Sequence, residues 1–303
     1  MSLLPQILVN GILAGAVYGL IALGLSLIYG VMKFMNFAHG EIAMLGAFLY
    51  YYFFIALGWP LIPSLLATLA LCGLAGFLFD KLVFERLRQE SPWTLLVTSI
   101  GVAFVIKALV LLVAGGASRN YIKPGHETAI YSWWDDRIII TDYQIIILLS
   151  TAAIVIGLTL FLRYSTLGKT IRAVSDNMQA AAILGINVKK TIVTIFVLST
   201  VLAGFAGVLI GYEQNLSPTM GLMISVMAFA SVIVGGLGNM WGAVLGGFLM
   251  GLIQNLAVGL DWFGIEISTS YKGAIAFIVL IIMLLVRPRG LFGISLEEEA
   301  SRK

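Results

Sequence analysis

Polar residues that could do chemistry are few in this chain, and the densest group is Asn36-Phe37-Ala38-His39-Gly40-Glu41. His39 and Glu41 are the residue types that pass protons or hold metals. The other histidine, His126, stands in a different connection, so no pair of helical histidine ligands can form. The group is better suited to ending a short loop, starting a helix and supplying polar contacts between helices. Asn36, His39 and Glu41 are therefore candidates for a path or gate. Ser225, Gln254 and Asn255 are uncharged polar residues inside apolar runs, suited either to interhelical hydrogen bonds or to lining that path. Lys107 is a cation within an apolar run, by default a functional candidate. It stands about two turns from the end of its segment, and snorkelling to the interface accounts for it.

A second polar group runs from Arg163 to Lys190 and carries Arg163, Lys169, Arg172, Lys189 and Lys190. Ile171, Val174, Met178, Ala181 or Ala182, and Gly185 recur at three and four residues, with Lys169, Arg172, Asp176 and Gln179 on the other side. This periodicity predicts a helix lying outside a bilayer.

The elements that position these groups follow from composition. The 303 residues are 60% hydrophobic and 11% charged, with mean hydropathy +1.02, against about 25% charged in a soluble domain. An all-α polytopic integral membrane protein is expected, as one transmembrane domain over 1–303. Nine segments approach the roughly 20 apolar residues of a spanning helix: 6–29, 40–57, 61–80, 94–114, 143–163, 192–212, 220–235, 242–260 and 273–286. The second and seventh are short enough to be tilted, broken or re-entrant. Residues Met1 to Gln6 include no Lys or Arg, so the first apolar run is expected to stay as a helix rather than be cleaved as a signal peptide. Cys72 is the one cysteine, which excludes disulfide pairing within the chain.

Basic residues set the orientation. Lys33, Lys81, Arg86, Arg88, the Arg163–Lys190 group, Arg287, Arg289, Arg302 and Lys303 fall on one side; Arg119, Lys123, Arg137 and Lys272 fall on the other. The positive-inside rule places the richer side in the cytoplasm, with the N-terminus outside and the C-terminus cytoplasmic. Residues 163–190 then form a cytoplasmic loop and 115–142 an external one. The latter carries Tyr131-Ser132-Trp133-Trp134-Asp135-Asp136, an interfacial aromatic belt or a docking surface for an extracytoplasmic partner. The net charge of +3 gives no reason to expect nucleic acid. Glycines recur every four residues at Gly11, Gly15, Gly19, at Gly207, Gly211, and around Gly238, Gly242, Gly246, Gly247 and Gly251. That spacing lets helices approach closely in lipid. The cluster Gly235-Gly236-Leu237-Gly238 also permits a break. The chain holds no GxxxxGK[ST] loop, Gly-x-Ser-x-Gly elbow or His-Glu-x-x-His pair, so no enzyme or ATPase site of its own is expected.

Tyr18-Gly19-Leu20-Ile21-Ala22-Leu23-Gly24, Tyr29-Gly30 with Asn36 to Glu41, Gly168-Lys169 through Leu184-Gly185-Ile186-Asn187, Gly235 to Ala243, and Arg287-Pro288-Arg289-Gly290-Leu291-Phe292-Gly293 occur in the order seen in a known family. The chain resembles branched-chain amino-acid ABC permeases over most of its length. The resemblance implies a permease subunit in the bacterial inner membrane. Its partners would be a second homologous permease subunit, two cytoplasmic ATP-binding subunits and a periplasmic substrate-binding protein. It implies import of branched-chain or other neutral amino acids, or of urea or short amides, with ATP held by the partners and no cofactor on this chain. It also makes 163–190 the coupling loop, with Arg172, Asp176, Ala180, Ala181 and Gly185 meeting the ATPase. Two departures are the loop Glu85 to Pro92 and the tryptophans at 133 and 134. The competing classes are an ion-coupled secondary transporter, which would need intramembrane carboxylates where Glu41, Asp80, Glu213, Asp261 and Glu266 stand at segment ends, and a non-transporting scaffold.

Overall fold

A computed structural model describes residues 4–121, 129–133, 138–260 and 267–293. Lys123, His126, Trp134, Asp135, Asp136, Arg137, Asp261, Glu266, Arg302 and Lys303 lie outside them. The described chain is mostly helical: α1 (Leu4–Met32), α2 (Ala38–Tyr51, continued by a π turn Tyr52–Ala56), α3 (Leu61–Phe79), α4 (Glu85–Leu87), α5 (Pro92–Ala114), α6 (Asp142–Tyr164), α7 (Thr166–Asp176), α8 (Met178–Ile183), α9 (Val188–Glu213), α10 (Met220–Gly235), α11 (Met240–Gly259) and α12 (Lys272–Val286). A π turn, Asp80–Phe84, joins α3 to α4, and a 3-10 turn, Thr269–Tyr271, precedes α12. Among the described residues, seven helical stretches are long and apolar enough to cross a membrane: Leu4–Met32, Leu61–Leu87, Pro92–Ala114, Asp142–Tyr164, Val188–Glu213, Met240–Gly259 and Thr269–Val286. The protein is thus a multi-pass membrane protein. The two segments read as short correspond to α2 and α10, the latter of 16 residues. Large apolar side chains such as Leu66, Val97, Phe104, Leu112 and Leu285 are exposed on the long helices, as a lipid-facing surface requires.

The chain divides into two compact units, one of residues 1–26, 125–151 and 226–303, the other of 27–124 and 152–225. In the first, α1 and α11 meet backbone to backbone. A Cβ on Gly15 would fall on Phe248, one on Gly247 on Gly19, and one on Gly251 on Gly15. Lipid provides no hydrophobic drive for helices to associate, so dispersion at close range has to do it, and only glycine allows this separation. The turn between α10 and α11 uses Gly236 and Gly238 at φ +114° and +80°, a conformation closed to most side chains. Asn239 then caps α11, its Oδ1 accepting from Gly242 N at 3.0 Å. The segment after α12 closes on that turn, Leu291 N and Phe292 N donating to the carbonyls of Val234 and Gly235 at 2.9 and 3.0 Å. The glycine cluster breaks the helix, and the Arg287–Gly293 motif holds the break. A small antiparallel hairpin, β1 (Ile130–Trp133) with β2 (Ile138–Thr141), is an addition to the all-helical expectation. Gln6 fastens it to α1, accepting from Ile139 N at 2.7 Å and donating to Ile139 O at 3.1 Å.

In the second unit α9 is the central helix, packed along α2 and α3. Gly46 faces Gly204, Gly207 faces the Ala43 carbonyl, Gly204 faces Cys72 and Gly76 faces Thr200, all at distances a Cβ would violate. At one end Phe84 lies between Phe34 and Phe196, with ring centroids 5.4 and 5.2 Å apart. Nearby, the buried Asp80 takes both Arg88 hydrogen bonds at 2.8 and 2.5 Å. At the other end Tyr121 packs edge to face on both Tyr50 and Tyr212, whose hydroxyls are 2.6 Å apart. Burial pushes the Tyr121 phenol well above its ordinary range, so it stays protonated and donates to Ala47 O at 2.8 Å.

Because Gly247 has no room for a side chain, Gly247→Leu is expected to lower stability by about 1–3 kcal/mol or more. Gly101→Leu, at a position open on all sides, should stay within about 0.5 kcal/mol. Unfolding midpoints in mixed micelles check the contrast.

Candidate functional site

Four of the sequence candidates come together at the start of α2, all within the second unit. Asn36, His39, Glu41 and Ser225 are each at most 3% exposed. The first turn of a helix has N–H groups without intrahelical partners, and here each is met. Phe37 N donates to Ser99 Oγ at 3.0 Å, Ala38 N to Asn36 Oδ1 at 3.1 Å, His39 N to Asn36 O at 3.2 Å and Gly40 N to Ser225 Oγ at 3.1 Å. Ser225 in turn donates to Phe37 O at 2.8 Å, so one hydroxyl ties the start of α10 to the start of α2. His39 Nδ1 stands 3.4 Å from Ser199 Oγ on α9. Glycine at 40 and 221 makes this approach possible, since a Cβ on Gly40 would fall on the Gly221 carbonyl and one on Gly221 on the Glu41 carboxylate.

Gln254 and Asn255 belong to the first unit and do not join this cluster. Gln254 is fully buried and donates to Met227 Sδ at 3.0 Å and Lys272 O at 3.1 Å. Asn255 donates to Gly251 O within its own helix at 2.8 Å and accepts from Lys272 Nζ at 3.1 Å. Their polar atoms join α11 to α12.

The segment between α6 and α9 is two helices rather than one. Asn177, at φ −154°, interrupts the run and accepts from Gln179 N and Ala180 N at 2.9 Å each, ending α7 and capping α8. Ser165 caps α7 in the same way through Gly168 N at 2.9 Å, and Asn187 caps α9 through Lys190 N at 3.0 Å. The apolar stripe is real in part: Ile171, Val174 and Ala181 are buried, Met178 is half-buried and Gly185 exposed. Gly168 leaves no space for a side chain against the Leu162 carbonyl. Arg172 donates to that same carbonyl, satisfying the C-terminus of α6 with the charge its dipole favours. Ser175 Oγ donates to Gly30 O at 2.7 Å. Asp176 and Ala180 are exposed. Gly185 turns the chain after α8 at φ +81°. Beside it Ile183 and Leu184 are 86% and 79% exposed, an apolar tip on a firmly attached segment.

The family model described as the branched-chain amino acid transport system / permease component matches residues 7–284. The chain belongs to this family. It is 30% identical to the high-affinity branched-chain amino acid transport system permease protein LivH of Escherichia coli K12, over 95% of either chain. It is 32% identical to the corresponding protein BraD of Pseudomonas aeruginosa, again over 95% of both. The structure of PsaBC from Streptococcus pneumoniae in complex with Fab shares the fold at 15% identity, with TM-score 0.52 over 95% of this chain and 93% of that one.

Several residues of this branched-chain permease chain have roles that sequence spacing did not signal. Ser99 and Ser199 complete the α2 cluster from 62 and 160 residues away. Lys272, counted as a loop cation, reaches Asn255. Lys107 is half-buried and is the cation whose charge acts on Glu41. Exposure alone distinguishes Ile183 and Leu184 from the buried Ile171, Val174 and Ala181.

Two outcomes follow for the permease chain. Ser225→Ala leaves Gly40 N buried without an acceptor, and is expected to cost about 1–3 kcal/mol in detergent unfolding. Asn177→Ala removes the α8 cap, at a cost of about 1 kcal/mol, and should show as faster amide exchange confined to Gln179–Leu184.

Proposed function

We propose that the chain is the permease subunit of a binding-protein-dependent importer for branched-chain or other neutral amino acids. It works in the bacterial inner membrane, beside a second homologous permease subunit. Two cytoplasmic ATP-binding subunits drive it, and a periplasmic substrate-binding protein delivers the substrate. The sequence holds no GxxxxGK[ST] loop; in this reading the partners hydrolyse ATP and this chain supplies the path. The observation that carries the reading is the exposed tip Ile183–Leu184 on a capped, anchored segment of a chain in this family. The excess of basic residues on that face supports the orientation, with α7 and α8 in the cytoplasm, the N-terminus outside and the C-terminus inside.

The mechanism follows from what is rigid. Closure of the ATP-binding subunits moves α7 and α8, whose Ala181 side is packed and whose Ala180, Gly185 and Asp176 side is free to dock. Arg172 holds the end of α6 and, being exposed, also faces the docking side. The Ser165, Asn177 and Asn187 caps leave little slack between this segment and α6 and α9. Because α9 touches α2 through Gly46, Gly204 and Gly207, a displacement of α9 reaches the polar start of α2, where Asn36, His39, Glu41 and Ser225 form the gate. In the first unit, Gln254 and Asn255 serve the path as fixed interhelical ties. The external loop 115–142 meets the binding protein.

Purified permease, ATP-binding subunits and binding protein in liposomes test this directly. Leucine, isoleucine or valine should stimulate ATP hydrolysis and enter the liposome. Uptake that ignores ATP and follows a proton or sodium gradient would overturn it, and stimulation by urea alone would replace the substrate. Replacing the tip by Ile183→Asp with Leu184→Asp should leave the chain folded, yet reduce copurification of the ATP-binding subunits at least tenfold, the loss of about 1.4 kcal/mol at an apolar contact.

A further inference from the structure

Glu41 does more than close a gate. Its carboxylate is 3% exposed, and its Oε2 has no hydrogen-bond partner. Neither of the ion pairs among the described residues includes it. A buried carboxylate oxygen without a donor is costly and therefore calls for a physical reason. Glu41 lies in the first turn of α2, where the helix dipole offsets part of the cost of burying an anion. The same turn has no hydrogen bonds left to give. The N–H groups of Phe37, Ala38, His39 and Gly40 are all committed to Ser99, Asn36 and Ser225. The site thus offers a buried carboxylate oxygen without a donor, beside backbone N–H groups that are already engaged. Its complement is a positively charged hydrogen-bond donor. The carboxylate rests against Gly221, where any side chain would overlap both of its oxygens, so the wall beside it is bare backbone.

We propose that Glu41 is the specificity residue that receives the α-ammonium group of the transported amino acid, the ammonium donating to Oε2 when the start of α10 parts from the start of α2. This rests on the reading of the chain as an amino-acid permease. The substrate class it selects is a primary ammonium compound rather than an uncharged amide. Ser225, which latches the two helix starts through Gly40 N and Phe37 O, sets the closed position.

The test compares wild type, Glu41→Gln and Glu41→Asp in the reconstituted complex, with saturating leucine-loaded binding protein and a pH dye inside the liposome. Glutamine fills the same volume, so assembly with the partner subunits should persist. Losing a charge-assisted hydrogen bond should lower leucine imported per ATP hydrolysed by about tenfold or more, with part of that ratio restored in Glu41→Asp and no internal acidification in any variant. A merely structural role would lower uptake and hydrolysis together, leave their ratio unchanged, and overturn the proposal. So would wild-type uptake by Glu41→Gln. Acidification that accompanies leucine entry in wild type and vanishes in Glu41→Gln would overturn it in favour of proton carriage. A wild-type complex that imports no amino acid would remove the permease reading itself, an outcome distinct from a Glu41→Gln variant that works.

Discussion

Close contact between helix backbones at glycine is the constraint on which the structure depends. In lipid the side chains of a helix gain nothing by leaving one apolar surroundings for another, so association must come from contact distance. In the first unit this is achieved by Gly15 and Gly19 against Gly247 and Gly251, and in the second by Gly46 against Gly204 and Gly207 against Ala43. The second set has a functional corollary. Since α9 carries the α7–α8 segment at its start and touches α2 along its length, one glycine-lined contact links an exposed attachment point to a buried polar cluster.

That cluster is a case of polar groups organised for satisfaction, with one exception. Ser99, Asn36 and Ser225 together answer the free N–H groups of the α2 start, which, buried, would each be costly if left alone. The Glu41 oxygen is what remains unanswered. Gln254 and Asn255 differ in being tied to Met227, Lys272 and Gly251, although Gln254 Oε1, like Glu41 Oε2, is buried without a donor.

Hydropathy and glycine spacing made the helices legible, because membrane thickness fixes their length and lipid fixes their polarity. The helix at 163–190 was legible as an amphipathic pattern, but its division was not: Asn177 reads equally well as a mid-helix polar residue until its backbone angle shows it capping α8. The hairpin is marked by the β-branched run Ile138 to Thr141, a strand signal that merges with the apolar start of α6. At the candidate site, Asn36, His39 and Glu41 stood out as a local interruption. Ser225 stood out as a polar residue in an apolar run but not as a partner of α2, and Ser99 and Ser199 did not stand out at all, since these roles depend on pairings across 62 to 188 residues. Which residues of the apolar stripe of α7 and α8 are packed was not legible: Ile171, Val174 and Ala181 are buried against the chain itself. The exposed tip at Ile183 and Leu184 is free for a partner.

In the proposed assembly that tip lies in the cytoplasm and meets the ATP-binding subunits. Cys72 is the one cysteine and is buried, so Cys72→Ser gives a clean background in which a single Leu184→Cys can be labelled by a membrane-impermeant maleimide. Rapid labelling from the cytoplasmic face of the permease alone, with strong protection once the ATP-binding subunits are bound, is the result expected. Labelling from the opposite face, or equal labelling with and without those subunits, would contradict it.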